Sequence, residues 1–110
     1  DTRAARVMLS RLLRKLGHEV FEAENASSAL AHLERISVDI VFSDIGMPEM
    51  DGYALAKAIR NDELNSKVMM VALTGYGQDS DKVKALDAGF NYHLVKPVSY
   101  AMLKSILRQT

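Results

Sequence analysis

Val68-Met-Met-Val-Ala-Leu73 is the longest unbroken apolar run in the chain. It is far shorter than the ~20 residues a membrane-spanning helix needs, and it has strand length. Because apolar and polar residues do not alternate, both faces of that strand must be covered, as in a parallel sheet packed between helices. The flanking patterns supply the covers. Tyr53 to Arg60 places Leu55, Ala56 and Ile59 at helical spacing, and Asp79 or Ser80 opens a helix through Ala88 that Gly89 closes. Two further strand-like runs are Asp39-Ile-Val-Phe-Ser43 and Tyr92 to Val95.

The same alternation extends to both ends. Ala5, Leu9, Leu12, Leu13 and Leu16 share one helical face, and Gly17 is the expected stop. His18 to Ala23 reads as a short strand. Asn25 is the expected N-cap of a helix to about Arg35, with Ala26, Leu30 and Leu33 inward. Ser99 caps a last helix with Met102, Leu103, Ile106 and Leu107 inward. The pattern predicts four strands and five helices in an α/β fold, with right-handed crossovers between parallel strands. The chain opens on a helix where an α/β sheet normally supplies a strand first.

Composition narrows the function classes. At 110 residues with 48% hydrophobic content, the chain is one ordinary domain with enough core to fold without cross-links. Lys+Arg and Asp+Glu both number 14, so no net charge draws the whole chain toward nucleic acid or an anionic membrane. Cysteine is absent, which excludes disulfides, zinc-thiolate sites and thiol catalysis. Residues 1–14 lack the apolar core of a secretory signal, so a cytoplasmic location is expected.

In open α/β sheets, ligands bind beyond the carboxyl ends of the strands. The residues expected there are Asp44, followed by Ile-Gly46-Met-Pro; Thr74, followed by Gly75; and Lys96, followed by Pro97. Asp1 stands at the start of the first helix, where a preceding strand would end. Two carboxylates, a hydroxyl and an ammonium would thus share one rim. Paired carboxylates suit Mg²⁺, which takes one or two of them together with waters and phosphate oxygens. Aspartate is an accepted nucleophile in phosphoryl transfer, lysine pairs with phosphoryl oxygens, and a hydroxyl donates to another of them.

Ser43-Asp-Ile-Gly-Met-Pro-Glu-Met-Asp-Gly52, Ala72-Leu-Thr-Gly75 and Leu94-Val-Lys-Pro97, in that order, resemble a response-regulator receiver domain of two-component signalling. The style of these motifs is similar to receivers attached to hybrid sensor histidine kinases. The resemblance implies a flavodoxin-like, doubly wound parallel sheet of strand order 2-1-3-4-5, an order for which the family is a standard example. It spans residues 1–110 as one receiver domain without its first strand. That strand is expected upstream, apolar, ending in an acidic residue next to Asp1, and lying between segments 18–23 and 39–43.

The resemblance further implies a phosphoacceptor role for Asp44 and an Mg²⁺ site made of Asp1, Asp44 and the backbone carbonyl of Gly46. Thr74 would be the switch hydroxyl, Lys96 the phosphoryl-contacting lysine, and the Lys96–Pro97 bond cis. His93 occupies a position where such domains often carry an aromatic switch residue, and Tyr76 one that tunes dephosphorylation. Implied partners are a histidine kinase or histidine phosphotransfer domain and a downstream effector protein or domain, with no direct nucleic acid or membrane contact. The isolated domain would be no enzyme toward other substrates, although it catalyses its own phosphorylation and dephosphorylation. A parent chain could be a hybrid histidine kinase.

Plainer readings stand beside these. Asp1 also serves as a helix cap, Gly46 as a turn glycine and His93 as a packed ring. The basic residues Arg3, Arg6, Arg11, Arg14 and Lys15 form either a solvated face or a docking surface. His18, His32 and His93 share no metal-ligand spacing. The missing first acidic residue motivates an alternative function, a phosphorylation-independent receiver-like interaction module. A phosphatase with an aspartate nucleophile is disfavoured, because Gly46 stands where its second, acid-base aspartate belongs.

Overall fold

The structure, a computed structural model, describes residues 2–23, 25–44, 52–62, 67–74, 79–96 and 98–108. Among the described residues, five helices and three strands follow in the order α1 (Thr2–Lys15), α2 (Ala26–Arg35), β1 (Ile40–Asp44), α3 (Gly52–Asn61), β2 (Met69–Thr74), α4 (Asp79–Ala88), β3 (Tyr92–Val95) and α5 (Tyr100–Leu107). The strands form one parallel sheet in the order β1-β2-β3. Each successive pair is linked by a helix, as parallel pairing requires.

The apolar run at 68–73 lies where its composition demands, in the middle strand. Its residues divide by alternation between two layers. Met70 and Ala72 pack with Leu55, Ala56 and Ile59 of α3, Ala85 and Ala88 of α4, and Phe90, with α2 contributing Ala29, Leu30 and Leu33. Val71 and Leu73 face the other way, toward Ile106 of α5 and Leu9 of α1. Met70, Val71, Ala72 and Leu103 are fully buried.

The helix ends obey local chemistry. Asn25 caps α2 by accepting a hydrogen bond from the Ser28 N–H at 2.9 Å, and Ser99 caps α5 through the Met102 N–H at 3.2 Å. Gly17 stops α1 at φ +95°, where the His18 N–H returns to the Leu13 carbonyl. Gly89 closes α4 at φ +112°. α4 begins on Asp79 itself, so the residue capping it lies outside the described residues.

The expected strand at His18–Ala23 does not form. A strand needs a ladder, and among the described residues β1 is hydrogen-bonded on one side only, to β2. Side chains engage segment 18–23 instead. His32 Nε2 lies 3.0 Å from the Glu22 carbonyl, and Arg14 donates to the Val20 carbonyl at 3.3 Å. Arg6 and Arg14 also pair with the Glu22 carboxylate at 3.2 and 3.9 Å. These two arginines of the basic first helix therefore hold the following segment. Among the described residues, segment 18–23 and β1 share no ladder. No described helix is long and apolar enough to cross a membrane.

Candidate functional site

The register brings three strand ends to one rim. Asp44 is opposite Leu73, and Thr74 is opposite Val95. Asp44 and Thr74 are the last residues of β1 and β2, one position earlier in structure than a loop reading gives them, and Lys96 directly follows β3. The Lys96 N–H donates to the Thr74 carbonyl at 2.7 Å, which fixes where the lysine leaves the sheet.

Lys96 Nζ donates to Asp44 Oδ2 at 2.5 Å, across 52 residues of sequence. The two side chains keep 29% and 20% of their surface exposed, so the pair is shielded from bulk water yet reachable by a small ligand. Ser43 beside it is buried and donates its hydroxyl to the Asp44 carbonyl at 3.2 Å. On the neighbouring strands, Thr74 Oγ1 lies 2.9 Å from His93 Nε2. Ala72 is opposite His93 in register, so His93 shares a face with Ala72 and, two residues on, with Thr74. Thr74 is itself buried.

The site thus unites Asp44 with Lys96 and Thr74 with His93. Asp1, Gly46, Tyr76 and Pro97 lie outside the described residues, as does the Lys96–Pro97 bond. Among the described residues no group of three or more metal-ligating side chains exists. Asp44 brings to this rim a carboxylate, the hard oxygen donor that Mg²⁺ prefers.

The family model for the response regulator receiver domain matches residues 1–108. The chain belongs to that family. A curated relative, the sensor protein EvgS of Escherichia coli K12, is 36% identical over 104 residues, covering 94% of this chain and 8% of the relative. The phosphate regulon transcriptional regulatory protein PhoB of Pseudomonas aeruginosa is 32% identical over 114 residues, covering all of this chain and 50% of the relative. This receiver domain therefore spans half or less of both. Among solved structures, the receiver domain of a sensor histidine kinase from Pseudomonas aeruginosa PAO1 superposes with a TM-score of 0.90 at 31% identity, covering 99% of this chain and 89% of that one. That neighbour carries a magnesium ion coordinated in its active-site cleft. The receiver relatives share the flavodoxin-like fold, and the parallel sheet flanked by helices agrees with it.

Two residues of structural weight escaped the sequence reading. Arg60 Nε–H and Nη1–H donate to the carbonyls of Gly89 and Val68 at 2.9 and 2.6 Å, and Nη2–H to Asn91 Oδ1 at 2.7 Å. The same Asn91 oxygen accepts from the Met70 N–H at 2.8 Å, while the Asn91 N–H donates to the Met70 carbonyl at 2.8 Å. Asn91 directly before β3 was the available signal, since a side-chain amide there can start the ladder that the strand continues.

Proposed function

We propose that this receiver domain accepts a phosphoryl group on Asp44 from a histidine kinase or histidine phosphotransfer domain and passes the change to an effector. The observation that carries this reading is the Asp44–Lys96 pair at the carboxyl rim, with the Thr74 hydroxyl on the next strand end. An Asp44 carboxylate oxygen attacks phosphorus, the P–N bond to the donor imidazole breaks, and the imidazole departs with that electron pair. Lys96 supplies a positive charge beside the acceptor and pairs with the phosphoryl oxygens as they arrive.

Mg²⁺ would be held by Asp1, Asp44 and the Gly46 carbonyl. When bound, it offsets the negative charge that acceptor and phosphoryl group bring together. The oxygen donors of Asp44 suit such an ion, and a receiver neighbour is described with magnesium in its cleft. After transfer, the acceptor carries a charge of about −1.5 to −2 near neutral pH, which draws Lys96 and the Thr74 hydroxyl inward. β3 leads from this rim into a surface with exposed apolar side chains, Val83 and Leu86 on α4, Val95 on β3 and Tyr100 on α5. That surface is our candidate for the effector contact, reached by a shift between existing states.

Incubation with Mg²⁺ and acetyl phosphate, read by intact mass, should give one phosphoryl adduct on the wild type and none on Asp44→Ala. An adduct that persists unchanged on Asp44→Ala, or none on the wild type, refutes the assignment.

A further inference from the structure

Thr74 Oγ1 and His93 Nε2 stand 2.9 Å apart, and a threonine hydroxyl owns a single proton. That proton can point at the imidazole or at a phosphoryl oxygen, never at both. We propose that His93 is a positioning residue whose protonation decides where the Thr74 hydroxyl proton points, coupling proton uptake at His93 to phosphorylation of Asp44. The proposal rests on the phosphoacceptor reading above.

The chemistry follows from the two states of the ring. In the neutral Nδ1–H tautomer, Nε2 is an acceptor and the Thr74 O–H donates to it. Thr74 is then held along the sheet, on the face it shares with His93. When the ring takes a proton from solvent, Nε2–H becomes a donor. Toward Thr74 Oγ1 it then gives its hydrogen rather than receiving one, and the threonine's own proton turns away from the ring. An arriving phosphoryl dianion is a strong acceptor for that proton. The imidazolium also polarises the hydroxyl and adds a positive charge near the new negative one. Phosphorylation therefore favours the charged ring, and by linkage the charged ring favours the phosphorylated state by the same factor.

Among the described residues, the charged and titratable groups on or just after β3 and on the helix packed against it are these. Lys96, three residues further on, is paired with Asp44. Tyr92 precedes it on β3. α4 packs against β3 and carries Lys84 and Asp87, both exposed to solvent. Asp79, Asp81 and Lys82 belong to the first turns of α4, and their side chains lie outside the described residues. Of all these neighbours, Thr74 is the one bonded to His93 in a described contact and placed at the strand end beside Asp44.

Nitrogen-15 NMR of the imidazole tests the proposal on the intact chain. In the resting protein above the His93 midpoint, Nε2 should show the shift of a bare, hydrogen-bonded nitrogen, and Thr74→Val should move that shift. With Mg²⁺ and beryllofluoride added as a phosphoryl mimic that keeps its charge over this pH range, the His93 midpoint should rise by about one pH unit, the low end of what a nearby opposite charge produces. Thr74→Val should shrink that rise, leaving the part due to direct attraction between the two charges, and a rise of the same size in Thr74→Val overturns the role of the hydroxyl. Beryllofluoride affinity should in turn grow about tenfold as pH falls through the His93 midpoint, and His93→Phe or His93→Asn should flatten that dependence. A neutral ring protonated on Nε2, or a midpoint that does not move when the adduct forms, overturns the coupling. Absence of any adduct, by mass with acetyl phosphate and by NMR with beryllofluoride, refutes the phosphoacceptor reading instead.

Discussion

Replacing Arg60 with methionine removes a guanidinium while keeping its aliphatic stem against α4, and the structure sets the cost. Among the described residues the side chain donates to acceptors at the amino ends of β2 and β3 that include the carbonyls of Val68 and Gly89 and the amide oxygen of Asn91. Bonds to a charged donor contribute about 1.5–3 kcal/mol each, mostly through the acceptors left bare on truncation. The Asn91 bond is exposed, so water can replace it, and the two carbonyl bonds carry the effect. Burial lowers the Arg60 pKa from the usual arginine value, and because both carbonyl bonds are only partly buried the low end of that range applies. The expected loss is thus about 3 kcal/mol. Over 110 residues, an unfolding entropy of about 2.1 cal/mol/K per residue converts this to a fall of about 13 °C in melting temperature. Thermal and urea melts of Arg60→Met should show that drop with an unchanged urea m-value, while phosphoryl adduct formation at the other end of the sheet persists below the transition. Arg60→Lys should fall between, because one ammonium cannot reach all three acceptors. A melting temperature within ~3 °C of the wild type would refute the reasoning, since it would mean that water replaces all three bonds at no cost.

Gly89→Ala should destabilise by about 1–3 kcal/mol, because φ is +112° and an added Cβ would stand 2.7 Å from Arg60 Cγ. Gly17→Ala, with φ +95° and open space around the new methyl, should cost only the conformational part, about 1 kcal/mol by the same urea melts. Asn25→Ala should lose about 1 kcal/mol with the cap on the Ser28 N–H, seen as earlier amide exchange at the start of α2. Lys96→Ala should slow adduct formation on Asp44 about a hundredfold, read by timed intact-mass measurements, because a charge aimed at the transferring group is lost. Its effect on stability should stay below about 1 kcal/mol, since the pair is partly solvated.

Features set by short stretches of chain were legible in the sequence. The run at 68–73 announced a strand covered on both sides, and the structure buries its middle residues completely. Asn25, Ser99, Gly17 and Gly89 act through φ or a single bond to a neighbour three or so residues away, so local sequence specifies them. Segment 18–23 shows the limit of that logic. Its composition suits a strand, but a strand is a relation between two segments. Among the described residues β1 is bonded only to β2, and the carbonyls of Val20 and Glu22 take side-chain partners instead.

The candidate site divides along the same line. Asp44, Thr74 and Lys96 could be gathered as strand-end residues without knowing the register, because every parallel strand delivers its carboxyl end to the same rim. The Thr74–His93 bond could not. It depends on Ala72 lying opposite His93, for a shift of one residue would turn the imidazole to the other face of the sheet and away from Thr74. Arg60 and Asn91 hold the β2–β3 pair at its amino end, 21 residues separating Met70 from the asparagine that starts the ladder. The clamp that sets the register is therefore at one end of the sheet, and the hydroxyl–imidazole contact that needs the register is at the other. Weakening the clamp without unfolding the chain, as in Asn91→Ala, should loosen the His93 ring before it disturbs the Asp44–Lys96 pair, which joins residues at two strand ends rather than two facing positions within the ladder.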